Sequence, residues 1–371
     1  MSHNLSMVQP FRPRMLPIEN LEWSLLVKSI GEANAAVARF DGLVNGIPNP
    51  AVFLSPLTTQ EAVLSSRIEG TQATLQEVLR FEADEDAPPE KRNDIREVLN
   101  YRRALRLAEN EVRDRPISLN LIRGIHRELM SGVRGKDKAP GAFRREQNWI
   151  GSSGCSIESA RYVPPSPLDM VDALDNFADY LASSVDDPLV QIAIIHAQFE
   201  IIHPFMDGNG RVGRILIPLY LMQRGVLHSP LFYVSGELEA RRQEYYDRLL
   251  AITNSGDWEG WISFFLQAST RQAERNAKLA RSMLNLYDEM KLSFARATRS
   301  QHAIQALDAV FSGPIFSSRR FMDVSGIPKA SASRMLSQLS DEGLLNVIST
   351  GSGRSPSVYA FEPLLSLADS Q

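Results

Sequence analysis

Apolar side chains recur at three- and four-residue spacing along most of this chain, the period of a helix that buries one face. Over residues 19–41 the stripe is Leu21, Leu25, Leu26, Ile30, Ala33 and Val37, and a turn-rich NGIPNP ends it at Pro50. Further helical runs are predicted from Thr58–Thr59 to Arg67, from beyond the break at Glu69–Gly70 to Phe81, over 93–112, and from Pro116 through ISLNLIRGIHRELM. The acidic, proline-containing DEDAPPEK (84–91) reads as a solvated loop. Between Gly132 and Pro167 the character changes. Five glycines (132, 135, 141, 151 and 154) and short segments such as Asn148–Gly151 and Arg161–Val163 predict a loop plus an irregular β-hairpin. Helices resume at 168–184, 187–202, 211–224, 236–253 and 257–297, the last long and charged enough to serve as a connector. No internal repeat is apparent.

Beyond Gln301 the pattern differs. Short helices precede Leu345–Ser349, a GSGRSPS turn and Val358–Phe361, the order of a winged helix-turn-helix. Gly326-Ile-Pro328 would be its turn, and a second helix from Lys329 to Glu342 would present Ser331, Ser333, Arg334, Ser337 and Gln338 to a groove. The expected fold is therefore mainly α, in three segments: an N-terminal helical region (1–112), a core with its connector helix (113–298) and a winged-helix domain (299–371).

Composition narrows what such a chain does. Forty basic against 44 acidic residues in 371 give a net charge of −4, which argues against a binder of nucleic acid or membrane surfaces along its whole length. In the tail, Arg319, Arg320, Lys329, Arg334 and Arg354 against Asp323, Asp341 and Glu342 leave only +2, so DNA contact through 314–361 is not favoured. Cys155 is the single cysteine, which excludes an intramolecular disulfide framework and a cysteine-cluster metal site, and nothing near it in sequence makes a Cys–His pair. The opening MSHNLSMVQPFRPRMLP lacks the apolar core of a secretory signal, and no uncharged run reaches ~18 apolar residues. A soluble, cytoplasmic chain without a membrane partner is expected.

One segment concentrates chemistry: His203-Pro-Phe-Met-Asp-Gly-Asn-Gly-Arg-Val-Gly-Arg214. Pro204 pushes the preceding residue out of helical geometry, so the helix ending in EII stops at His203 and its imidazole enters a loop. Phe205 or Met206 anchors that loop to the core. Asp207 supplies a hard oxygen suited to Mg²⁺. Gly208-Asn-Gly210 permits left-handed angles and aims N–H groups into a concavity, and the helix that starts there favours anions at its N-terminus. Arg211 and Arg214, three apart, share a helix face and reach toward the same anion. A base, a metal carboxylate, an N–H cradle and two arginines suit a nucleotide polyphosphate attacked at phosphorus by a hydroxyl whose proton passes to His203. No Walker A or kinase-type glycine loop competes for the nucleotide.

The segment resembles the signature of the Fic family, HPFx[D/E]GNGRxxR, with every specified position present. The resemblance implies a Fic-type helical core with a β-hairpin flap, and transfer of AMP from ATP to a hydroxyl side chain of a target protein. It makes His203 the base, Asp207 the holder of Mg²⁺ (or Mn²⁺), Gly208, Asn209 and Gly210 the cradle of the α- and β-phosphates, and Arg211 and Arg214 the binders of the distal phosphates. Upstream, Ser65-Ser-Arg-Ile-Glu-Gly70 fits the family's inhibitory pattern [S/T]xxxE[G/N]. Ser65 and Glu69 share a helix face, and the resemblance pairs Glu69 with Arg214, where it competes with the γ-phosphate, and gives it a second role in removing AMP by orienting water. Arg145–Gly151, whose Trp149, Ile150 and Gly151 are also expected to contact the nucleotide, and Arg161–Pro165 resemble the two arms of the family's flap, on which a target segment adds as a strand over 145–165. Glu244-Tyr245-Tyr246 and Asn254-Ser-Gly-Asp257 resemble the lining of its nucleoside pocket, with one tyrosine as well suited to core packing as to ligand contact. His126 and His196, on amphipathic helices, read as structural or supporting groups.

Two other classes of function stay open at this point. One is a DNA-binding regulator whose core senses nucleotide; the other is a metal-dependent phosphohydrolase using Asp207 and His203, which lacks a further His/Asp cluster in sequence. The target, the modified residue and the oligomeric state, a homodimer among the options, are not legible.

Overall fold

The computed structural model describes residues 9–47, 50, 54–133, 138–152, 154–184, 186–352 and 355–369; Met1–Val8, Pro48, Asn49, Gly135, Gly353 and Arg354, which figure in the sequence reading, lie outside them. The chain is mainly helical and forms two compact units, one from Met1–Ala38 and Arg103–Arg271, the other from Arg39–Arg102 and Gln272–Gln371. Three long helices, α1 (Trp23–Asn45), α4 (Pro89–Val112) and α11 (Trp258–Thr298), contribute residues to both. Helix α4 begins four residues before the expected Asn93, because a proline at the first helical position loses no hydrogen bond and already has a helical φ.

The first unit holds α5 (Leu119–Leu129), α6 (Pro167–Ala182), α7 (Pro188–Ile202), α8 (Asn209–Gln223), α9 (Ser235–Ala240) and α10 (Arg242–Ser255). The Asp187 carboxylate caps α7 by accepting from the N–H groups of Leu189 and Val190, and Pro188 follows at the first helical position. From Leu189 to Ile202 every residue but Glu200 is buried, so α7 is the central post of the unit rather than a surface helix with one apolar stripe. Helix α8 packs closely against it at Gly213, where a Cβ would lie 3.2 Å from both Glu200 Oε1 and His196 Nδ1. The single helix expected over 236–253 is divided at Arg241, whose φ of −115° and ψ of 33° leave helical geometry without a proline or glycine to announce it.

The second unit contains α2 (Ser55–Ile68) and α3 (Leu75–Glu82), then α12 (Ala303–Ser312), β1 (Ile315–Ser317), α13 (Ser318–Ser325), α14 (Lys329–Asp341), β2 (Asn346–Ser349), β3 (Val358–Ala360) and α15 (Glu362–Asp369). The strands form an antiparallel sheet in the order β1-β3-β2, with Ala360 opposite Ile315 on one side and Asn346 on the other. Gly326 ends α13 at φ 64° and Pro328 leads into α14, the turn the sequence predicts. Helix α3 carries a reciprocal cap: Glu77 N–H donates to the Thr74 hydroxyl at 3.2 Å and Thr74 N–H to the Glu77 carboxylate at 2.8 Å. Its Leu75, Leu79 and Ala83 share one apolar core with Ile315, Val358, Ala360 and Leu365. Neither β1 nor α15 is anticipated by the sequence reading. Among the described residues no helix is long and apolar enough to cross a membrane.

Candidate active site

Helix α7 stops at Ile202, and His203 takes a left-handed conformation (φ 48°, ψ 60°) with its N–H bonded to Phe199 O at 2.9 Å. Pro204, which has no N–H to continue the ladder, fixes the stop. The imidazole Nδ1 lies 3.3 Å from the Glu200 carbonyl, which assigns the ring proton to that nitrogen and makes Nε2 the basic one. Of the two apolar residues in the turn, Phe205 is the anchor: it is fully buried and stacks on His126 with centroids 3.8 Å apart and planes 6° from parallel.

The turn is then closed by side chains acting on its backbone. Asn209 Oδ1 accepts the Phe205 N–H and its Nδ2 donates to Phe205 O, both at 2.9 Å, so Asn209 offers a ligand its main chain rather than its amide. Gly208 sits at φ 78°, and a Cβ there would meet Met130 Sδ at 3.1 Å. The first N–H groups of α8 follow at once, and a helix leaves these without an intrahelical acceptor. Asp207 keeps its carboxylate half exposed; Oδ1 accepts the Gly208 N–H at 2.6 Å and stands 3.7 Å from Arg211 Nη2. Arg211 and Arg214 are both buried in the first turns of α8.

Three residues outside the motif, Arg144, Asn148 and His126, hold this turn, and the sequence reading assigns neither Arg144 nor Asn148 a contact with it. Arg144, buried to 4% exposure, donates to four carbonyls: His203 at 3.0 Å, Ile202 at 3.4 Å, Pro165 at 2.6 Å and Glu146 at 3.2 Å. Burial lowers its pKa to about 10, which leaves it a cation at neutral pH. Asn148 Nδ2 adds a bond of 3.1 Å to Phe205 O. His126 is read from sequence only as a supporting group, and the structure specifies the support: Nδ1 accepts the Gly141 N–H at 2.8 Å, and Nε2 donates to Asp207 O at 3.0 Å. Burial pushes its pKa down to about 4 against the opposing pull of that second bond, so the ring is neutral. Arg144 carries no distinguishing signal in sequence, where Arg145 and Glu146 follow it directly.

The predicted arms meet at one antiparallel bridge, Ile150 with Tyr162, rather than along paired strands. Trp149 is largely exposed and its indole N–H donates to Cys155 O at 2.9 Å; a Cβ on Gly151 would lie 2.5 Å from Cys155 Sγ, so the cysteine packs into the hairpin's own tip. On α10 the two tyrosines part company. Tyr245 is 1% exposed, its hydroxyl bonds His196 Nε2 at 2.9 Å, and its ring packs on Trp261; this corrects its assignment to nucleotide contact, since the ring is spent on the core. Tyr246 is half-buried, and the exposed Asn254 lines a cleft of about 330 Å³ together with Arg12, Arg14 and Gln198. Ser65 and Glu69 belong to the second unit, Ser65 buried in α2 and Glu69 the exposed residue that ends it. Among the described residues no three His, Cys, Asp or Glu side chains group as a metal cluster.

With this geometry in place, likeness to known proteins has a definite reference. Residues 27–110 match the Fic/DOC family N-terminal domain and residues 116–221 the Fic/DOC family domain. A probable protein adenylyltransferase of Aquifex aeolicus is 32% identical over 177 residues, covering 47% of this chain and 51% of that protein. A protein adenylyltransferase Fic of Aedes aegypti is 31% identical over 158 residues, 42% of this chain and 28% of that one. The chain thus spans about half, or less, of the length of these curated relatives. Among solved structures, a Fic family protein from Desulfovibrio desulfuricans G20 superposes with a TM-score of 0.58 at 21% identity, covering 95% of this chain and 98% of that one. A Fic-1 fragment from C. elegans gives 0.52 at 21% identity, over 70% and 75% of the two chains. At these identities the structural likeness speaks to the fold.

Proposed function

As the chain is a Fic-domain protein, we propose that it is a protein adenylyltransferase, moving AMP from ATP to a hydroxyl side chain of a target protein. The observation that carries the reading is the turn from His203 to Arg214, which joins a base with its proton on the far nitrogen, a half-exposed carboxylate, a helix N-terminus and two arginines in twelve residues. The names of the curated relatives support it.

In the transfer, His203 Nε2 accepts the proton of the target hydroxyl while the hydroxyl oxygen bonds to the α-phosphorus. The bond from that phosphorus to the oxygen bridging to the β-phosphate breaks, and pyrophosphate leaves. The main-chain N–H groups of Gly208, Asn209 and Gly210 receive the charge on the α- and β-phosphates, and Arg211 and Arg214 bind the distal phosphates. Asp207 fits a Mg²⁺ ion that takes most of its ligands from phosphate and water, since one exposed carboxylate suffices for such an ion and no cluster is required. Bound there, Mg²⁺ (or Mn²⁺) would neutralise the polyphosphate.

Glu69 is the brake in this reading: paired with Arg214, its carboxylate displaces the γ-phosphate, and it also orients water in the reverse removal of AMP. The hairpin over 145–165 is the flap on which the target segment docks, its exposed Trp149 on the first arm. In 299–371, the order α12-β1-α13-α14-β2-β3 supports a winged helix-turn-helix, and a net charge of only +2 over 318–359 favours a protein partner over DNA. In this reading the chain divides by function into 1–112, 113–298 and 299–371, a division separate from the two compact units.

The test is incubation of purified protein with Mg²⁺ and α-labelled ATP. Glu69→Gly should raise self- or target labelling about 10- to 150-fold, the worth of one charge-assisted contact. Intact mass should rise by one adenylyl group. His203→Ala should abolish labelling in the Glu69→Gly background; labelling indifferent to both substitutions overturns the assignment.

A further inference from the structure

Resting on that reading, we propose that Arg144 is the positioning residue of the transfer: one planar guanidinium holds the base and both roots of the flap in a single register. The argument begins at the end of α7. Its last carbonyls have no N–H one turn on, and His203 occupies a left-handed conformation that is sterically unfavourable for a residue with a β-carbon. Something must make that conformation the stable one. Arg144 does so from outside the helix, with Nε on the His203 carbonyl and Nη2 on the Ile202 carbonyl, a cation placed at the negative end of the helix.

The same group reaches the flap twice. Nη2 also donates to Pro165 O, where the second arm returns to the core, and Nη1 to Glu146 O, where the first arm departs. The main chain of Arg144 adds a third tie, its N–H donating to Pro204 O at 2.9 Å. Base and flap are thereby referenced to one rigid fork. A target hydroxyl carried on the flap keeps a constant relation to His203 only while that fork is intact. All four side-chain acceptors are carbonyls and none a carboxylate, so the guanidinium acts here by shape. Lysine supplies the charge but spreads three donors about a tetrahedral nitrogen and cannot serve four acceptors from one planar fork. Asn148, bonded to Phe205 O, is a second and weaker tie between the first arm and the turn. The phosphate cradle is held separately, by Asn209 and by His126, so the inference separates placement of the base from affinity for ATP.

The experiment uses the full chain in the Glu69→Gly background. Arg144→Lys should lower the self-labelling rate constant at saturating ATP by about 10- to 100-fold, the scale set by a misplacement of about 1 Å. The ATP concentration for half-maximal rate should stay within about twofold. Amide exchange at Ile150 and Tyr162 should quicken while α7 and α8 stay protected. Asn148→Ala, a milder change that tests the same tie if Arg144→Lys fails to fold, should give a smaller loss of rate with the same constancy toward ATP. An unchanged rate in the folded variants, or a loss of ATP affinity in step with rate, overturns the inference. His203→Ala in parallel keeps the two conclusions apart. Labelling that survives it sinks the transferase reading, whereas labelling lost there but intact in Arg144→Lys sinks only the positioning role.

Discussion

His126 donates its Nε2 proton to the main-chain carbonyl of Asp207 at 3.0 Å, and it can do so because its other nitrogen accepts from Gly141. The side chain that offers a carboxylate to solvent is thus steered through its own backbone by a buried, neutral ring. His126→Phe keeps the stack on Phe205 and removes both bonds. Each main-chain group left unsatisfied in the interior costs about 1–3 kcal/mol, so urea unfolding should show a lower midpoint, and half-maximal labelling should need more Mg²⁺. An unaltered midpoint would mean that water replaces the ring's two bonds.

Tyr245 should behave as a core residue. Tyr245→Phe removes the bond to His196 and should lower stability by about 1 kcal/mol while leaving ATP affinity unchanged, whereas Tyr246→Ala should weaken ATP binding. Calorimetric titration of both variants decides it. Weaker binding in Tyr245→Phe would return that ring to the ligand.

Gly213 permits the contact between α7 and α8. Gly213→Ala places a methyl 3.2 Å from Glu200 Oε1 and His196 Nδ1, atoms fixed on a buried helix. Overpacking of this kind costs about 1–3 kcal/mol, so thermal unfolding should come earlier and labelling should fall as Arg214 shifts with its helix. A variant as stable and active as its parent would show that α8 moves freely there.

Acid should loosen α3 before it affects the core around α7. Burial pushes the Glu77 carboxyl up, but the Thr74 N–H, the nearby Lys91 charge and the Thr74 hydroxyl outweigh it, leaving the pKa below the usual 4.5. A carboxyl whose pKa is depressed by folding adds stability that is complete above its unfolded value and disappears as pH falls through the folded one. Glu77→Gln should therefore be less stable than its parent at pH 7, with the difference closing below pH of about 4. Thermal melts of the pair across that range provide the measurement. A gap that persists at low pH would assign the effect to geometry instead of charge.

What the sequence discloses follows the reach of its interactions. The turn from His203 to Arg214 is legible because its parts are contiguous, and Pro204, Gly208 and the i, i+3 arginines have meaning at that range. Arg144 and His126 act on the turn from 59 and 81 residues away, through side chain to carbonyl bonds that leave no periodicity. Helix ends marked by Pro or Gly were readable, as at Gly326, whereas the break at Arg241 has no marker and is imposed by packing. Strand β1 has three residues, too few for an alternation to show. Tyr245 and Tyr246 are adjacent and chemically alike, so only the fold could decide which one faces inward.

The core shared by α3 and the C-terminal sheet has a consequence for the order in which the protein is built. Leu75 and Leu79 lie early in the chain, yet the strands they pack on, Ile315–Ser317 and Val358–Ala360, are synthesised far later. The His203–Arg214 turn is synthesised well before them. During synthesis, and in any chain cut short before Ile315, the His203–Arg214 turn is made while Leu75 and Leu79 still lack the strands of this core. A core that begins at Leu75 is closed only by residues made after Ile315.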